Sequence, residues 1–371
     1  MPAVAEQAPA TLTPAAPPTR EGRARVLLAA LAVLLVLAVL VGAGAGALHV
    51  PVAAVLGVLL HKLGLSVNLP FEPQQEAVVW AIRLPRVLLA VLVGAALGLA
   101  GAAMQGLFRN PLADPSLLGI SAGASLAAVA VIVLEEKVFK LVNAMPGAAG
   151  ASAYVLPVAA FVGACVATLF VYRVSRSGGR VLVSTMLLVG IATNGLAGAI
   201  TGLFTYAAND AQLRSITFWG LGSLGGASWP TIATLLPFLV LPLVFLPRLG
   251  KALNLLALGE EQATHLGLPV ARIKWQVIGL TTLAVGASVA IVGTIGFLGF
   301  LVPHVLRLLG GPDHRFILPA SALGGALVLL LADTLARTAV APAELPIGIL
   351  TALLGAPVFL WIVMREQRQL R

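Results

Sequence analysis

RLPRVLLAVLVGAALGLAGAAMQG, residues 83–106, opens on two arginines and then runs for twenty residues without a charge. The hydrocarbon core of a bilayer, about 30 Å thick, takes about 20 helical residues to cross. The stretch therefore reads as one membrane-spanning helix with Arg83 and Arg86 at its mouth. It lacks the strict polar/apolar alternation of a barrel strand, and in lipid an unpaired strand would leave its backbone groups without partners. Gly94 and Gly98, four apart, give the helix a surface that another backbone can approach closely. Gly198 and Gly202 repeat that spacing further on.

The rest of the chain has the same character. Of its 371 residues, 59% are hydrophobic and 10% are charged, and the mean hydropathy is +1.02. A soluble domain carries about 25% charged residues, so the composition predicts an all-α, polytopic membrane protein. The net charge of +9 comes from lysines and arginines placed singly at the ends of apolar runs. Topology signals sit there, whereas a basic binding face would cluster them, so nucleic acid is not an expected partner. A single cysteine, Cys165, rules out an intrachain disulfide or a cysteine metal cluster. Residues 1–24 are rich in Pro, Ala and Thr and read as a disordered tail, leaving 25–371 as one transmembrane domain. The next run, VLLAALAVLLVLAVLVGAGAGAL (26–48), is 23 residues long. That exceeds the roughly 7–15 apolar residues of a signal peptide, so it reads as a retained first helix.

Apolar runs between polar or Gly/Pro punctuation predict about ten spans: 26–48, 84–106, 116–134, 152–173, 181–207, 230–247, 274–296, 299–310, 316–338 and 346–364. An unbroken helix from Arg272 to Gly310 would be about 58 Å long at 1.5 Å per residue, so a turn is expected within GTIGFLGF. The eighth element is then short. With ten spans both termini share a side, and placing them in the cytoplasm puts sixteen of the 23 lysines and arginines there and seven outside. That bias fits the positive-inside rule. Arg83 and Arg86 fall outside, against the general trend, where they either snorkel to lipid phosphates or do something specific.

No constellation for covalent chemistry appears. The five histidines are scattered, with no HExxH pair, and LPRLGKAL lacks both the upstream Gly and the following Ser/Thr of a phosphate-binding loop. Asp333 and Arg337 are four apart and share a helix face, so they are expected to pair. Thr193 and Asn194, in mid-span, read either as pathway lining or as bonds to a neighbouring helix. The segment 247–275 contains NLLALGEEQATHLGL, which reads as two short helices joined by a turn.

Several segments together resemble the permease subunits of type II ATP-binding cassette importers, which carry iron-siderophores, haem and cobalamin. They are the stretch from RLPR through QGLFRNPLADPSLLGISAGAS, then ALGEEQATHLGL, GFLGFLVPHVLRLLGGPDHR, ADTLART and AELPIGILTALLGAPVF, in order from about residue 80 to 364. The resemblance implies a ten-span permease of the bacterial inner membrane that pairs with a second copy of itself. Two P-loop ATPase subunits bind inside, holding ATP and magnesium, and a periplasmic substrate-binding protein docks outside. No enzymatic activity and no resident cofactor or metal is expected in this chain. By the same resemblance Arg83, Arg86 and Arg337 meet carboxylates of the binding protein. Glu260, Glu261, Ala263 and Gly267 contact the ATPases, and Asn110, Leu112, Ser184 and Thr185 line the inner gate. The segment 206–229 looks most like the haem branch, with Arg214 as a candidate for a haem propionate. Ferric siderophore and cobalamin remain the alternative cargoes. An ion-coupled carrier, the reading from a different class, would need an acidic or histidine relay within the spans.

Overall fold

The computed structural model describes residues 20–46, 48–65, 69–144, 151–178, 180–341 and 343–369. Residues 1–19 of the expected tail lie outside these, and helix α1 already begins at Arg20. In chain order the helices are α1 (Arg20–Gly44), α2 (Val52–Lys62), α3 (Pro73–Val78), α4 (Leu84–Phe108), α5 (Ile120–Val133) and α6 (Glu135–Asn143). Then come α7 (Ser152–Val174), α8 (Val183–Tyr206), α9 (Asp210–Leu221), α10 (Trp229–Arg248), α11 (Gly250–Ala257) and α12 (Glu260–His265). The last four are α13 (Val270–Val292), α14 (Leu298–Gly310), α15 (His314–Thr338) and α16 (Ile347–Gln369). Among the described residues the strands are a two-residue hairpin, β1 (Arg176–Ser177) and β2 (Arg180–Val181).

Each of the ten expected spans contains a helix. Seven helical segments are long and apolar enough to cross a membrane: α1, the continuous Pro73–Phe108, α7, α8, α10, α13 and α15. The other three, α5, α14 and the apolar part of α16, are shorter, as is α2, which the reading of spans did not anticipate. The turn expected in GTIGFLGF is present, but it starts at Gly293, so α13 ends four residues before the expected boundary. Gly293 and Phe297 both adopt the left-handed conformation, and a Cβ on Gly293 would run into the carbonyl of Trp219. The third span likewise starts as a 3-10 turn, Pro115–Leu118, before Gly119 (φ 79°) redirects the chain into α5.

The continuous helix through α3 and α4 contains a π-helical turn at Val79–Arg83. Of α4 itself, only Leu88, Val91 and Leu92 keep partial exposure, so it is the central post of the molecule. Burial on all sides requires other backbones to come close. Cβ atoms at Gly94 and Gly98 would collide with the Gly325 and Ser321 carbonyls of α15, and one at Gly101 with the backbone of Gly299 in α14. Gly123 of α5 and Gly163 of α7 make a second such crossing. In lipid, where apolar contact alone gives helices little reason to associate, close contacts of this kind provide the packing energy. At one end, Trp80 and Trp229 pack with tilted rings, 5.0 Å between centroids, and the Trp229 indole donates to the Trp80 carbonyl at 3.0 Å. That contact places the start of α10 beside the start of α4, so α10 carries the chain to the opposite end, where α11 and α12 lie.

Candidate functional site

The end of α1 leaves backbone carbonyls without helical partners. Two arginines supply donors. Arg83, closing the π turn, donates to the carbonyls of Ala43, Gly44 and Leu48. Arg337, near the end of α15, donates to Ala45 at 3.0 Å and Gly42 at 2.8 Å. Both cations also complement the negative end of the α1 dipole. Between them Arg86 donates through Nε to Asp333 at 2.9 Å and through Nη1 to both oxygens of Glu344 at 2.8 and 2.9 Å. The expected Asp333–Arg337 pair is present at 3.1 Å, as an ion contact misaligned for a hydrogen bond. One fully buried carboxylate thus holds two guanidinium groups.

The three arginines assigned to docking therefore do converge, on a cleft of about 290 Å³ also lined by Leu48, Ile82 and Glu344. They are not free cations on a rim. Arg83, Arg86 and Arg337 are 5%, 8% and 8% exposed, and this chain supplies their acceptors. Glu344 was not singled out from the sequence, although it lies in the quoted AELPIG block. It belongs to the loop between α15 and α16, and hydrogen bonds from Arg86 hold its carboxyl below the usual glutamate range.

At the opposite end α11 and α12 are the two short helices expected in 247–275. A cleft of about 850 Å³ is lined by Glu260, Glu261, Thr264, His265, Arg272 and Lys274, among others. The four residues expected to contact an ATPase separate here. Glu261 is exposed on the cleft, and Gly267 makes a left-handed turn (φ 82°) with open space around it. Ala263 has no exposure, because its small side chain faces inward and seats α12 on the body of the protein. Glu260 lines the cleft with a side chain still 39% exposed, and its Oε1 lies 2.6 Å from the ammonium of the buried Lys274.

The gate residues also separate. After α4 the left-handed Arg109 (φ 50°) starts a turn in which the Asn110 side chain accepts from the Leu112 amide at 2.9 Å. Leu112 lines a cavity of about 480 Å³ with Asp114, Ser116, Thr294, Phe297 and Phe300. Ser184, exposed, and Thr185, half-buried, are on the first turn of α8 and do not line that cavity. Of the two readings for Asn194, the structure favours a neighbour contact: its amide donates to the Ser116 carbonyl at 3.1 Å. Arg214 is exposed in the middle of α9 and lines neither this cavity nor the arginine cleft. Sequence reasoning missed Asp114, whose carboxylate accepts from the Ser116 amide at 2.8 Å. The Asp-Pro-Ser signature of that turn was available in the sequence.

Comparison with known proteins matches residues 33–365 to the FecCD transport family. The hemin transport system permease protein HmuU of Yersinia pestis is 46% identical over 315 residues, covering 84% of this chain and 91% of that protein. The vitamin B12 import system permease protein BtuC of Escherichia coli O9:H4 is 42% identical over 298 residues, covering 80% and 87%. A solved inward-facing conformation of a metal-chelate type ABC transporter superposes with a TM-score of 0.77 at 32% identity, covering 92% of this chain and 99% of that one.

Proposed function

The chain belongs to the FecCD transport family, as a multi-pass permease subunit of an ATP-binding cassette importer, and from that premise we propose that its cargo is haem. The observation that carries the proposal is the 46% identity to a hemin permease across 84% of the chain. The 42% identity to a vitamin B12 permease keeps cobalamin beside a ferric siderophore as a competing cargo. Family membership removes the ion-coupled carrier.

In this reading two copies of the chain form the path across the bacterial inner membrane, with both termini in the cytoplasm. The α12 end then faces two P-loop ATPases, and the arginine end faces a periplasmic binding protein. The chain itself performs no catalysis and holds no resident cofactor; haem passes through as cargo, and ATP with magnesium is bound by the partners. ATP-driven closure of the ATPases favours one of two permease conformations, through contacts at Glu261 and around Gly267 that differ between the states. Asn110 and Leu112, with Ser184 and Thr185, form the inner gate, and Arg214 on α9 offers a cation to a propionate. At the other end carboxylates of the binding protein enter the cleft of Arg83, Arg86 and Arg337, where half-exposed Glu344 competes with them for Arg86.

The test is ATP-dependent uptake in proteoliposomes holding this chain with its ATPase and binding protein, offered haem, a ferric siderophore and cobalamin in parallel. Haem uptake alone is expected. Uptake of another cargo removes the haem assignment and keeps the importer.

A further inference from the structure

Lys274, in the second turn of α13, is 2% exposed and uses its ammonium twice. It lies 2.6 Å from Oε1 of Glu260 on α12, and it donates to the carbonyl of Val181 at 2.7 Å. Val181 closes β2, two residues before α8 begins, and is itself buried. The hairpin is held by the pairs Arg176 with Val181 and Ser177 with Arg180, and by the Leu182 amide donating to Ser175 at 3.2 Å. The carbonyl that Lys274 holds thus belongs to a paired strand that leads directly into Ser184 and Thr185.

We propose that Lys274 is a positioning residue that transmits displacement of α12 to the start of α8, so that the ATPase-facing helix and the gate move together. This rests on the importer reading above. A buried ammonium cannot give up an acceptor without replacing it, because the unpaired charge is costly in a low-dielectric setting. When Glu260 moves, Lys274 must follow it or lose it, and the Val181 carbonyl is bound to the same nitrogen. The other charged groups lining this cleft, Glu261, His265 and Arg272, belong to α12 and the start of α13. Glu260, read from the sequence as an ATPase contact, becomes the inner end of that contact.

The experiment uses the full importer in proteoliposomes with haem as cargo, comparing wild type, Lys274→Met, Glu260→Gln and the double variant. The readout is haem moved per ATP hydrolysed. A second readout is the distance between spin labels at Leu188→Cys in two copies, on a Cys165→Ala background, with and without ATP. Leu188 is 70% exposed, one turn beyond the gate residues. Each single variant is expected to lower the transport ratio about 3- to 30-fold and to shrink the ATP-dependent distance change. The double variant is expected to be no worse than either single one, as for two members of one link. Unchanged ratios and distances in both single variants, or losses that multiply in the double variant, overturn the proposal. If the wild type itself moves no haem with ATP, the importer reading of this cargo fails with it. A transporting wild type with unaffected variants removes the Lys274 link alone.

Discussion

Asp333 has no exposed surface and faces Arg86 and Arg337 at once, so at the residue scale it decides whether the ends of α4 and α15 stay together. Asp333→Asn keeps the shape and removes the charge, leaving two buried guanidinium groups short of a counter-ion. Removing one partner of a buried pair costs about 3–5 kcal/mol. The detergent-solubilised variant is therefore expected to unfold at a markedly lower temperature, and an unchanged midpoint would contradict the counter-ion role. Glu344 makes a pH prediction. Its carboxyl titrates lower folded than unfolded, because Arg86 donates to the charged form. Its stabilisation is then fully present above the ordinary value of 4.5 and is lost as pH falls through the lower, folded value. Wild type should lose stability relative to Glu344→Gln as pH falls from 4.5 toward that lower value, with parallel curves above 4.5. The Asp333–Arg337 pair was legible in the sequence from its spacing of four. Glu344 was not, because a partner some 260 residues from Arg86 leaves no local pattern.

At the scale of elements, the glycines of the spans fall into two groups that share one sequence spacing. Gly94, Gly98 and Gly325 mark a crossing where the backbones of α4 and α15 touch, whereas Gly195, Gly198 and Gly202 on α8 face open space within this chain. Gly325→Ala should force that crossing apart and destabilise by about 1–3 kcal/mol, as overpacking does. Gly198→Ala should leave the isolated subunit's thermal unfolding unchanged, since nothing occupies the space its Cβ would enter. Comparing the two midpoints in detergent checks both, and equal losses would contradict the assignment. The sequence also announced the break between α13 and α14 through helix length alone. Its starting point at Gly293 depended on how closely the end of α9 approaches, and no local signal carries that.

For the whole molecule, the proposed docking role makes charge at the arginine end a control on how a binding protein arrives. Three arginines and two carboxylates leave the cluster with a net charge of +1. Glu344→Gln raises it to +2, which should speed association with an acidic binding protein about threefold at low salt, taking one unit charge acting over ~7 Å of water. The gain should fade as ionic strength rises, in stopped-flow measurements across a salt series. A salt-independent rate would contradict electrostatic steering. The sequence by itself determined the class of the molecule, the order of its apolar helices and the family it resembles. Hydrophobic run length and short motifs are local properties, and a bilayer demands continuous helices wherever the chain crosses it. Only the tertiary structure decided that Arg83, Arg86 and Arg337 are buried and that Glu344 holds Arg86. It alone showed Ala263 facing inward and Lys274 tying Glu260 to the start of α8. Those facts concern which side chain meets which backbone group across long stretches of chain, and packing geometry settles that.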